Sequence, residues 1–133
     1  MNRPSEDIKD MLLAESSIGL TFGKGGDLFL NAEPSTPDNC VTIFDTYGFP
    51  PQLTMDPEER YESPSIQIRI RSNKQSNAWI IIEGIMTSLH GRNHETWNGT
   101  LYTVIKAASS PALLDWDDNG RCRFVINFNL QRR

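Results

Sequence analysis

From Arg121 to Gln131 the chain alternates. Cys122, Phe124, Ile126, Phe128 and Leu130 fall on one side; Arg121, Arg123, Asn127, Asn129 and Gln131 fall on the other, with Val125 the one apolar exception. A period of two is that of an extended strand, so this segment requires a sheet with one dry face and one polar face. Ile66, Ile68 and Ile70, alternating with Gln67, Arg69 and Arg71, repeat the pattern. A dry sheet face must be covered by a second layer.

Two segments of helical period can supply that layer. Ile8, Met11 and Leu12 share a face behind Ser5, a capping residue, with Glu6 and Asp7 placed to complement the helix dipole, and Gly19 is a natural stop. Ser72-Asn73-Lys74-Gln75 has the form of a capping box and opens a second helix. Its stripe is Ala78, Ile82, Ile85, Met86 and Leu89, widened by Trp79 and Ile81, and Gly91 closes it. Asp27 to Leu30, Cys40 to Tyr47 and Thr100 to Ala108 read as further strands, with Gly48-Phe49-Pro50-Pro51 ending the second. The expected fold is α+β, in the order αβββαββ: two helices on one face of a mostly antiparallel mixed sheet of about five strands. With 133 residues and no linker or repeat, a single domain over 1–133 is expected.

A net charge of −4 argues against a primary nucleic-acid binder. Cys40 and Cys122 each sit in an apolar run, as small core residues do. The acidic N-terminus lacks the apolar stretch of a signal peptide, and the longest apolar run, Ala78 to Ile82, is far too short to span a bilayer. A soluble protein, intracellular when made, is the expectation.

Each pattern that could carry chemistry fails on spacing. His90 and His94 would converge only if the helix ran through Gly91. Asp115, Asp117, Asn119 and Gly120 match the first half of a calcium loop, but its twelfth position is Ile126, in a strand pattern; a polar turn between strands is the reading. Gly23-Lys24-Gly25-Gly26 lacks the spacing of a phosphate loop and reads as a flexible turn. Asn98-Gly99-Thr100 is a formal glycosylation sequon without a secretion signal. No catalytic, cofactor-binding or metal-ligating residues are assigned.

Two features point to protein contacts instead. Arg69 and Arg71 share the polar side of one strand and Arg121 and Arg123 that of another. They read as solvated charges or as a seam to an acidic surface. The stretch from Gly48 to Ser63 lacks periodicity and is acidic over 56–62, and so long a connection in a compact domain is uncommon unless it binds something. Phe49, Pro50, Glu58, Glu59, Arg60 and Tyr61 are its candidate contact residues, with 23–26 a second candidate.

Pro37-Asp38-Asn39-Cys40-Val41 leading into Phe44-Asp45-Thr46-Tyr47-Gly48 resembles the tailed-phage minor capsid or tail terminator proteins. So do Ser65 to Arg71 running directly into a helix, and Asp117-Asp118-Asn119-Gly120-Arg121-Cys122-Arg123-Phe124 at the close. The similarity spans nearly the whole chain in matching order. The resemblance implies a virion structural protein made in the host cytoplasm and placed at the head-proximal end of a long tail. It implies a homo-oligomeric ring, commonly hexameric, that stops tube polymerisation and offers a head-docking surface. Its partners would be itself, the tail tube protein and a head-completion or connector protein, with nucleic acid only passing through the lumen and no membrane. It implies no enzyme and no cofactor. Another neck or tail-completion protein, or a small non-virion binding module, is the alternative.

Overall fold

The computed structural model describes residues 2–52 and 61–133. Two helices, α1 (Pro4–Ala14) and α2 (Gln75–Leu89), accompany seven strands: β1 (Leu28–Leu30), β2 (Cys40–Gln52), β3 (Tyr61–Ser72), β4 (Asn93–Trp97), β5 (Thr100–Ala107), β6 (Ala112–Trp116) and β7 (Cys122–Arg132). The order along the sheet is β1-β2-β3-β7-β5-β4. β6 pairs with the first half of β7, and β5 with the second half. Only β1 and β2 run parallel; the other pairs are antiparallel.

The α+β class is as expected; the strand count and order are corrected from five to seven. β4 and β6 stand where the sequence pattern predicts loops. Every residue of β6 is exposed, so it carries no buried alternation to read. The β4–β5 hairpin turns at Asn98-Gly99, both at positive φ (52° and 79°), the residue pair that a tight two-residue turn favours.

The alternating residues form the core. Val41 and Ile43 of β2, Ile66, Ile68 and Ile70 of β3, and Phe124, Ile126, Phe128 and Leu130 of β7 are buried in one cluster with Ile8, Met11 and Leu12 of α1 and Ala78, Ile82, Ile85 and Leu89 of α2. In register Val41 faces Ile70, which faces Phe124; Ile43 faces Ile68, which faces Ile126. Each such side chain taken fully from water contributes about 1.5–3 kcal/mol.

Both helix starts differ from expectation. Ser5 lies inside α1, because Pro4 occupies the first turn, where a missing N–H costs nothing. The Ser5 N–H and hydroxyl instead donate to the Asp45 carboxylate of β2, at 3.0 and 2.7 Å. A carboxylate from a strand therefore takes the role of the helix cap. α1 ends at Ala14, ahead of Gly19. α2 begins at Gln75 without a side-chain cap, and the Ser72 hydroxyl donates to Asn39 Oδ1 (2.9 Å) while accepting the Lys74 N–H.

Candidate subunit interface

The second strand does not end at Gly48. β2 continues to Gln52 and β3 starts at Tyr61, so the two form a hairpin arm running past the core: Thr46 pairs with Ser65, Phe49 with Ser63 and Gln52 with Tyr61. Register shifts lie on both sides of Phe49. Pro50 and Pro51, which lack an N–H, sit at this irregular stretch of a strand that β1 no longer flanks beyond Ile43. Gly48 permits the close approach: a Cβ there would strike the Ser63 carbonyl and lie 2.7 Å from the Pro64 Cα. Tyr47 is fully exposed and Phe49 is 80% exposed. Pro50 is exposed, and Tyr61 is half-buried under Arg133, whose guanidinium stacks 5.6 Å from the ring and donates to the hydroxyl. Glu58, Glu59 and Arg60 lie outside the described residues.

A buried polar network holds the root of the arm. Arg132 reaches Glu62 of β3 at 3.1 Å, the Asn2 carbonyl at 2.9 Å and the Tyr102 hydroxyl at 3.2 Å. Tyr102 donates a short hydrogen bond to Asp7 of α1, whose other oxygen accepts from Asn98 at 2.7 Å. Burial and the bond to Asp7 push the Tyr102 phenol well above its ordinary 10.0. One network thus ties helix α1, the β4–β5 turn and the last strand to the arm.

The four arginines of the polar sheet face do not stay together in solvent. Arg71, 2% exposed, is paired with Glu33 at 3.2 Å and donates to the Pro37 carbonyl at 2.6 Å. Arg123 stands directly opposite Arg71 in register and bonds the same Glu33 oxygen at 2.8 Å and Asp115 at 3.1 Å. Arg121 is buried against Asp117 (2.6 Å) and the Ser35 carbonyl (2.6 Å). These three therefore clasp the 33–38 loop onto the sheet. Arg69 stands apart, half-buried, with its guanidinium 4.9 Å above the Phe44 ring and its Nε donating to Gln67.

Of the polar turn expected over 115–120, residues 117–120 connect β6 and β7, while Asp115 and Trp116 belong to β6. Asp117 Oδ1 accepts the N–H groups of Asn119 and Arg121 at 3.0 and 2.9 Å. Burial raises the Asp117 pKa, but these bonds and the Arg121 guanidinium outweigh it and hold the carboxyl below its ordinary 3.8. Its oxygens are engaged by protein donors. Among the described residues no three His, Cys, Asp or Glu side chains converge as a metal site.

A second apolar surface escaped the sequence reading. Trp79 and Ile80 of α2 and Leu113, Leu114 and Trp116 of β6 are exposed, Ile80 to 68% and Trp116 to 50%. The Trp79 ring stands edge-on to Phe124, centroids 5.8 Å apart, and Phe124 is the register partner of Leu113. The run Ala112-Leu113-Leu114-Asp115-Trp116 ahead of Asp118-Asn119-Gly120 was the available signal: a short strand before a hairpin turn. Exposed aromatic and aliphatic groups of this kind suit contact with another protein.

The family model described as "Bacteriophage tail terminator protein" matches residues 8–133. A chain from the virion of a native gene transfer agent particle superposes with a TM-score of 0.67 at 11% identity, covering 98% of this chain and 94% of that one. A second solved chain does so with a TM-score of 0.55 at 9% identity, covering 98% and 88%. These likenesses are of fold. No curated protein matches the sequence.

Proposed function

The chain belongs to the bacteriophage tail terminator family, and on that premise we propose that it is a non-enzymatic virion protein that forms a ring, of six copies, on the head-proximal end of the tail tube. The ring covers the growing end so that no further tube subunit adds, and its other face receives the head-completion or connector protein. DNA passes through the lumen without being read. The protein is made in the host cytoplasm and ends in the virion.

The observation that carries this reading is the arm. A hairpin held rigidly at its root and bearing bare aromatics beyond the core is a device for reaching a neighbour, and a ring needs one patch of each subunit to meet a different patch of the next. The likeness to a chain of a virion particle supports a place in such an assembly. The interface proposal rests on Phe49, Pro50, Tyr61 and the segment 58–60, with Arg69 on the open sheet face. Arg71, Arg121 and Arg123 serve it from behind, as the clasp that stiffens the sheet.

The test is the mass of the purified protein by light scattering after size exclusion, followed by imaging with tail tubes. A mass of about six times 15.1 kDa, and density capping one end of each tube, is expected. Tubes that stay uncapped and keep growing at saturating protein would overturn the terminator role. Density at the connector without tube capping would assign it to the neck.

A further inference from the structure

The arm and the α2–β6 patch are both apolar, but their rims carry opposite charge. Phe49 borders a groove of about 370 Å³ shared with Ser63, Lys106 and Asn129. Lys106 lies inside the groove, and Arg133 stacks on Tyr61, two residues from Ser63 of its lining. The other surface is a groove of about 480 Å³ between α2 and the β5–β6 link, lined by Trp79, Glu83, Met86, Thr87, Ser110 and Pro111. Its one charged lining residue is acidic, Glu83, and residues 107–120 on the facing link contain no Lys or Arg.

The two grooves open on opposite sides of the sheet. Ser63, the partner of Phe49, has the parity of Ser65 and Gln67 on the polar face, whereas α2 covers the face of Ile66, Ile68 and Ile70. A single copy therefore does not close one surface onto the other, and a second copy can. Building on the ring reading, we propose that the arm of one copy seats Tyr47 and Phe49 in the groove beside Trp79 of the next, with Lys106 of the first facing Glu83 of the second. Repeated around the assembly, this head-to-tail contact leaves each copy with both surfaces covered.

The test uses the full chain and two charge reversals at exposed positions, Lys106→Glu and Glu83→Lys, with circular dichroism and the unfolding midpoint confirming that each variant folds. Each single reversal sets like charges against each other and is expected to raise the concentration at which the assembly dissociates by at least about tenfold. Both reversals in one chain restore the opposite-charge pair and return it to the wild-type value. Phe49→Ser is expected to abolish assembly in either background. An assembly indifferent to the single reversals, or one that the double reversal leaves broken, overturns this seam and leaves the ring reading standing. A wild-type chain that stays a single subunit at every concentration, and on tail tubes, overturns both.

Discussion

Glu33 is the residue on which the polar face depends. Arg71 and Arg123 lie opposite each other on adjacent strands, an arrangement that repels unless an anion stands between them. One Glu33 oxygen accepts from both, and the other is buried without a hydrogen-bond partner among the described residues. Glu33→Gln removes the charge and leaves two guanidinium groups to share a neutral amide. We expect a loss of about 3 kcal/mol in urea unfolding, the scale of stranding a buried charge; a loss indistinguishable from zero would show that the loop carbonyls alone satisfy Arg71. Asp117 gives a prediction in pH. Its folded pKa is depressed, so its contribution is present above the unfolded value of 3.8 and is lost as pH falls below it. The stability difference between wild type and Asp117→Asn should therefore be constant at neutral pH and shrink as pH drops through the region below 3.8. The alternation in the sequence showed which side of its strand each arginine takes. It could not show that a loop of turn formers folds back over that side, because beside the Glu33 carboxylate the closure uses the carbonyls of Ser35, Pro37 and Asp38, and every residue has a carbonyl.

At the scale of elements, what was legible is what is buried. β3, β5 and β7 and the stripes of both helices follow from period-two and 3.6-residue patterns because one face of each meets the core. β6 has no buried residue and β4 meets the core only through half-buried Trp97, so burial left little imprint there, and prolines in the arm argue against a strand. Asn98-Gly99 was the one strong cue passed over, since it was weighed only as a glycosylation signal. The arm has its own dependence on a single residue, Gly48, where the neighbouring strand leaves no room for a methyl group. Gly48→Ala must push β2 and β3 apart and should cost about 1–3 kcal/mol by overpacking. Hydrogen exchange should quicken at the arm while the amides of β7 keep their protection. Equal loss of protection in β7 would mean that the arm and body open as one unit.

For the whole molecule, assembly strength should divide between apolar contact and charged rim in a way that salt can separate. The screening length falls from about 10 Å at 0.1 M to about 3 Å at 1 M ionic strength, which weakens an exposed pair such as Lys106 and Glu83 and leaves the burial of Tyr47, Phe49 and Trp79 untouched. Sodium chloride over this range should loosen the assembly several-fold without dispersing it. The double reversal should respond with the same slope, since its rim again pairs opposite charges, whereas each single reversal should tighten as salt screens its repulsion. Replacing residues 49–61 by a short glycine linker probes the other half. Beyond Thr46 and Ser65 the described residues of the arm add nothing to the core cluster, so the unfolding free energy should move by no more than about 1 kcal/mol, while the mass in light scattering falls to one subunit at every salt concentration. An armless chain that still assembles would place the ring contact elsewhere on the body. An armed chain that 1 M salt disperses completely would give the charged rim, and not the aromatics, the larger share of the contact.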